Sequence, residues 1–124
     1  MPVITEKARY AGDFLMSEGP NHYSREAIVI ASGAGKVVPG TILGKITASG
    51  KYVPSPATGA DGSQTGVAIA LYDVDATSAD AKVAAIVRLA EVNKNCLVYE
   101  ATVNDTTKKA AKLAQLVTAG IIPR

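Results

Sequence analysis

The sequence predicts a mainly β fold: a small body of short strands, one C-terminal α-helix and an extended N-terminal arm. Three observations carry this. Residues 38–75, VPGTILGKITASGKYVPSPATGADGSQTGVAIALYDVD, are divided by Pro and Gly into apolar runs of strand length. Residues 105–119 repeat their apolar positions at helical spacing. Residues 1–25 sustain neither period.

Taken in order, the first 25 residues are broken by Pro2, Gly12, Gly19, Pro20, Asn21 and His22. Their apolar groups, Val3, Ile4, Tyr10, Phe14, Leu15 and Met16, are too scattered to bury against one another, so this segment must dock on something else. A single domain is expected over 26–124. It opens with an apolar strand at 27–31, ended by the turn residues Ser32, Gly33, Ala34 and Gly35, after which Lys36, Val37 and Val38 lead onward. Pro39 and Gly40 make a turn, and 41–47 places Ile42, Leu43 and Ile46 around Gly44. Ser49 and Gly50 turn the chain again, and Tyr52 and Val53 extend it until Pro54 and Pro56. Residues 66–73 alternate Val67, Ile69 and Leu71 with Ala68, Ala70 and Tyr72, a strand period with small residues where a second layer must come close. After a polar loop at 76–80, the stretch 82–90 fits either helix or strand, and Val83, Ile86 and Val87 in a strand-rich body favour strand. Residues 96–99 read as extended. The helix follows, with Asn104 or Asp105 as N-cap and Ala110, Leu113, Ala114, Leu116 and Val117 as its packed face. Lys108, Lys109 and Lys112 point mostly away, and Gly120 ends it. The apolar tail 121–124 is expected to pack as an extended end.

Composition narrows the function classes. The 124 residues suit one domain, and a chain that is 48% hydrophobic but only 5% aromatic must build its core from Val, Ile, Leu and Ala. Small side chains bury less area each, which leaves room for contacts between copies to add stability. The net charge of +2 is too small to point to nucleic acid. Residues 81–124 hold seven basic side chains against three acidic, but without interleaved aromatics these read as a solvated helix face. The one cysteine, Cys96, excludes an internal disulfide and an all-cysteine metal site, and its apolar neighbours indicate a small packed thiol. The first 15 residues carry Glu6, Lys7, Arg9 and Asp13 and no apolar core of a secretion signal. No run approaches the roughly 20 apolar residues of a membrane helix. A cytoplasmic setting, or a structure assembled there, is expected.

Chemistry is hard to place on this chain. The single histidine, His22, lies in the arm, away from any rigid frame. Asp73 and Asp75 share a strand face where a metal could be held, but Thr77, Ser78 and Asp80 do not complete a calcium loop, and turn capping accounts for the pair. Gly33, Ala34, Gly35 and Lys36 miss the phosphate-loop pattern, since Ile30 stands where its first Gly belongs and Val37 where its hydroxyl belongs. No cofactor or metal is expected. The alternative is a biotinyl- or lipoyl-like carrier domain with Lys45 or Lys51 as the modified residue, although neither lysine has the flanking residues of such a site.

A set of short motifs occurs in a fixed order along most of the chain: AGDF at 11–14, TILGKIT at 41–47, GKYV at 50–53, ADGSQT at 60–65, YDVDAT at 72–77 and a closing LVTAGII at 116–122. In that order they resemble the bacteriophage head decoration protein family. The resemblance implies a compact β-tulip or barrel-like body and no enzymatic activity. It implies a homotrimer on the exterior of the expanded virion head at three-fold and quasi-three-fold positions, where it stabilises the shell against DNA pressure. The partner is then the major capsid protein, with no nucleic acid or membrane involved. Capsid contact falls to an arm at 1–25, with Ile4, Tyr10, Phe14 and Leu15 filling pockets, Gly12 and Asp13 inside the AGDF motif, and Arg25 and Glu26 on the neighbouring strand.

Overall fold

Turn residues set where the strands begin and end. The computed structural model describes residues 14–19 and 24–124. Among these residues the strands are β1 (Leu15–Glu18), β2 (Arg25–Ile30), β3 (Gly35–Val37), β4 (Ile42–Lys45), β5 (Tyr52–Pro54), β6 (Gly66–Ala70), β7 (Val74–Ala76), β8 (Ala81–Ile86), β9 (Ala90–Val92) and β10 (Ile121–Pro123). A 3-10 turn, Lys94–Cys96, and the helix α1, Thr106–Thr118, lie between the last two strands.

Five strands close a barrel in the order β2-β5-β4-β6-β8. The longest ladder is antiparallel, β2 on β8, running from Arg25 opposite Ile86 to Ile30 opposite Ala81. A three-stranded sheet, β1-β9-β10, and a β3-β7 ribbon complete the body. The ladder of β1 on β9 is antiparallel, and β10 runs parallel to β9 on the other side.

Two apolar clusters result. Ile28, Ile30, Val37, Leu43, Ala68, Ala70, Ala76, Val83 and Ala85 form the first. The second joins barrel, helix and sheet through Phe14, Ile42, Ile69, Leu71, Ile86, Ala90, Val92, Leu97, Leu116 and Ile121. Each large apolar side chain fully buried in this way contributes about 1.5–3 kcal/mol. The residue alternation across β6 sends Ala68 and Ala70 to the first cluster and Ile69 to the second, so both faces of this strand are covered. Gly44 is required on β4 because a Cβ there would sit on the backbone carbonyl of Ser63.

The C-terminal helix starts as its sequence indicates: the Asp105 carboxylate caps it, accepting from the Lys108 amide at 2.8 Å. It ends at Gly120, whose φ of 89° lies in the left-handed region, and β10 follows at once. The expected packed face needs correction. Leu116 is buried and Leu113 half-buried, but Ala110, Ala114 and Val117 are exposed, and Lys112 is only 2% exposed. The lysine is drawn inward because the loop between β5 and β6 offers it oxygens. Its ammonium donates to Ser55 Oγ and the Pro56 carbonyl, each at 2.7 Å, and to the Gln64 carbonyl. Ser55 Oγ in turn donates to the Ser63 carbonyl at 2.7 Å, the group against which Gly44 packs. Gln115 adds a second tie, its Oε1 accepting from the Gly66 amide at 2.7 Å. A Ser-, Gly- and Ala-rich loop with little apolar surface is thereby fastened to the helix by hydrogen bonds. Burial pushes the Lys112 ammonium below its usual pKa, and the Glu100 charge works against that shift.

Two other expectations are corrected. Residues 94–96 form the 3-10 turn, so the extended piece starts at Leu97, and Val98 makes an isolated parallel bridge with Thr41. The stretch 82–90 is strand through Ile86, but a turn at 87–89 separates it from β9.

Candidate interaction surface

The arm residues expected to make contacts divide between two situations. Ile4, Tyr10, Gly12 and Asp13 lie outside the described residues. Phe14 is a fully buried member of the second cluster, and its carbonyl accepts from the Asn93 amide at 2.7 Å. Leu15 is half-buried against the same cluster and stands opposite Val92. Residues 14–18 are therefore part of the body in this structure, and the chain before them meets the body at the edge strand β1.

Arg25 and Glu26 open β2, and as neighbours on a strand their side chains leave opposite faces. Arg25 makes a two-pronged contact with Glu18, Nη2 to Oε1 at 2.7 Å and Nε to Oε2 at 2.9 Å. The Glu18 hydrogen bond raises the guanidinium pKa further. This pair spans the two sides of the β1–β2 connection. Ser24 holds its base: the hydroxyl accepts from the Gly19 amide and donates to the Leu89 carbonyl, each at 2.7 Å. Glu26 accepts from Arg88 at 3.1 Å on the rim of an open depression of about 530 Å³, which Lys45, Thr47 and Tyr52 also line. Burial raises the Tyr52 pKa, Glu26 raises it further and Arg88 opposes. The structure thus separates Arg25 from Glu26 instead of joining them in one patch.

Of the carboxylates considered for chemistry, Asp75 acts as a turn cap. Asp75 accepts from the Thr77 amide at 3.0 Å and from its hydroxyl, and these bonds hold its carboxyl below the usual range. Asp61 does the same for Ser63. Asp80 pairs with Lys51 at 2.6 Å and accepts from the Ser32 amide at 2.8 Å, which lowers its pKa as well. Lys51, one of the two lysines weighed for a carrier role, is therefore in an ion pair. Cys96 is half-buried against the second cluster, and His22 lies outside the described residues. Among the described residues there is no group of three His, Cys, Asp or Glu side chains placed to hold a metal. Among them, too, no helix is long and apolar enough to cross a membrane.

Sequence reasoning missed Lys112 as a buried side chain and Leu89 as an exposed one. The oxygens around Lys112 come from residues 48 to 57 positions away, a separation with no local signature. A family model described as bacteriophage lambda head decoration protein D matches residues 3–121. No curated protein matches the chain.

Proposed function

The chain belongs to the bacteriophage lambda head decoration protein D family, and from that premise we propose that it is a cement protein without enzymatic activity. Family membership makes it a structural protein of the phage capsid. In the finer reading it docks as a homotrimer on the outer surface of the expanded head, at three-fold and quasi-three-fold positions, and holds neighbouring major capsid subunits together. The observation that carries this is a family match running through both the N-terminal segment and the body, over residues 3–121.

The physical mechanism is linkage. A protein that binds only the expanded lattice stabilises that lattice by mass action, and so resists the pressure of packaged DNA. The N-terminal segment is the proposed gripping element: its main chain adds a strand to an exposed sheet edge of the capsid, and Ile4 and Tyr10 supply side-chain anchors. Three such segments on one trimer raise the effective concentration of each. Phe14, buried in the body, secures the root of the segment instead of entering a capsid pocket. Residues 26–124, with β1 joined to them, hold the three roots at fixed spacing.

The test is removal of residues 2–13, which spares β1 and Phe14. The shortened chain should keep its thermal unfolding transition and lose most of its binding to expanded heads. Binding equal to that of the full chain would remove the N-terminal segment from the docking role.

A further inference from the structure

The loop between β5 and β6 contains the one Asp-Gly pair of the chain, Asp61–Gly62, and the chain has no Asn-Gly pair. Such a pair is chemically labile. The glycine amide nitrogen can attack the aspartyl Cγ, forming a C–N bond as a C–O bond breaks and water leaves, and a succinimide results. Water then adds at either ring carbonyl. One addition restores aspartate, and the other gives isoaspartate, in which the main chain runs through Cβ. Glycine favours the first step because it has no Cβ to shield its nitrogen.

The fold requires both residues. Gly62 has a φ of 99°, and a Cβ there would strike the Thr47 hydroxyl and come within 2.9 Å of the Lys45 carbonyl. The Asp61 carboxylate accepts from the Ser63 amide at 3.0 Å and its hydroxyl at 2.6 Å, while the Asp61 carbonyl accepts from the Thr47 amide at 2.9 Å. Isomerisation would lengthen the main chain by one atom where it is pinned beside β4. That would displace the Ser63 carbonyl from Ser55, and with it the oxygens that hold Lys112. The folded loop opposes the reaction at both reacting groups. The Gly62 amide donates to Gln64 Oε1 at 2.9 Å. Attack requires this nitrogen to give up its proton, and the oxygen facing it disfavours the resulting anion. On the other side, the two Ser63 bonds hold the Asp61 carboxyl below the usual pKa range and direct it toward Ser63, whereas the neutral carboxyl is the form that loses water.

We infer that Asp61–Gly62 is an isomerisation site which the folded loop keeps closed, Gln64 protecting the Gly62 amide and Ser63 restraining the Asp61 carboxylate. Modification then depends on opening of the loop. A chain that stays folded keeps aspartate at 61, and a chain that spends time open acquires a main chain that cannot rebuild the Lys112 contacts. The loop is thus a one-way chemical record of unfolding.

Gln64→Ala removes the acceptor of the Gly62 amide. Ser63→Ala, which removes the hydroxyl bond to Asp61 and keeps the main-chain carbonyl that Ser55 uses, is the second variant and carries the comparison if the first does not fold. The full chain and both variants are incubated at neutral pH, folded and in concentrated guanidinium chloride. Isoaspartate at position 61 is followed by mass spectrometry with electron-driven fragmentation, and guanidinium unfolding curves give the globally unfolded fraction of each protein. In denaturant all three should isomerise at closely similar rates. In buffer the unsubstituted chain should be far slower than in denaturant, and each variant faster than it by about threefold to tenfold, the factor that one hydrogen bond supplies. That excess should not follow the globally unfolded fraction. A folded, unsubstituted chain that isomerises as fast as the denatured one would overturn the inference. Variants no faster than the unsubstituted chain, or faster only in proportion to their unfolded fraction, would also overturn it and make Ser63 and Gln64 residues of general stability.

Discussion

Replacing Lys112 by methionine keeps most of the aliphatic stem and removes only the ammonium. Burial of an ion pair is often matched by an apolar substitute, because both charged partners leave together. Lys112 differs, since two of its acceptors are the main-chain carbonyls of Pro56 and Gln64, which no substitution at 112 can remove. A fully buried carbonyl left without a donor costs about 1–3 kcal/mol; these two are partly buried, so the lower part of that range applies and the pair gives about 2–4 kcal/mol. Release from burying a charge returns part of this, leaving an expected net loss of about 1–3 kcal/mol. For a chain of this size that corresponds to a fall in Tm of roughly 3–12 °C. Differential scanning calorimetry at matched protein concentration, with urea unfolding as a second measure, gives the number. A Lys112→Met protein within about 0.5 kcal/mol of the unsubstituted chain would refute the reasoning. The pH dependence offers a further check. Burial lowers the folded-state pKa of Lys112 below the usual 10.5 of a lysine, so between those two values the unfolded chain binds more protons than the folded one. The stability of the unsubstituted protein should therefore rise, relative to Lys112→Met, as pH increases through that window.

Three shorter expectations accompany it. Gly44→Ala places a methyl on the Ser63 carbonyl and should destabilise by about 3 kcal/mol, at the upper end for overpacking, as read by urea unfolding. Gln115→Ala leaves the Gly66 amide without its side-chain acceptor and should cost about 1–2 kcal/mol, with amide hydrogen exchange at Gly66 accelerating more than in β8. Asp61, Asp75 and Asp80 all have folded-state pKa values below 3.8, so their contribution is complete above that value and disappears as pH falls through the lower folded values. Tm should thus hold between pH 7 and about 5 and drop below about 4, and Asp75→Asn should make that drop smaller.

The parts of the fold that could be read from sequence are those written locally. Pro39–Gly40 and Ser49–Gly50 marked turns because Gly40 and Gly50 adopt positive φ, and Asp105 and Gly120 bounded the helix by capping chemistry. Parts set by distant partners could not be read. The pairing of β1 with β9 joins residues more than 70 positions apart, so 15–18 looked like part of the arm when it is an edge strand. A helical lysine normally reads as solvated, and only the position of the β5–β6 loop turns Lys112 inward. The interaction surface was partly visible, because the N-terminal apolar residues announced a need for a partner. Nothing local to Leu89 signals a left-handed backbone fixed by Gly19 and Ser24.

Co-sedimentation of the full chain with expanded and unexpanded heads from the same phage decides whether this protein is a cement of the mature shell. Saturable binding to expanded heads, accompanied by a higher disruption temperature of the shell and absent from unexpanded heads, is the expected outcome. Equal binding to both forms, or binding to neither, would contradict it.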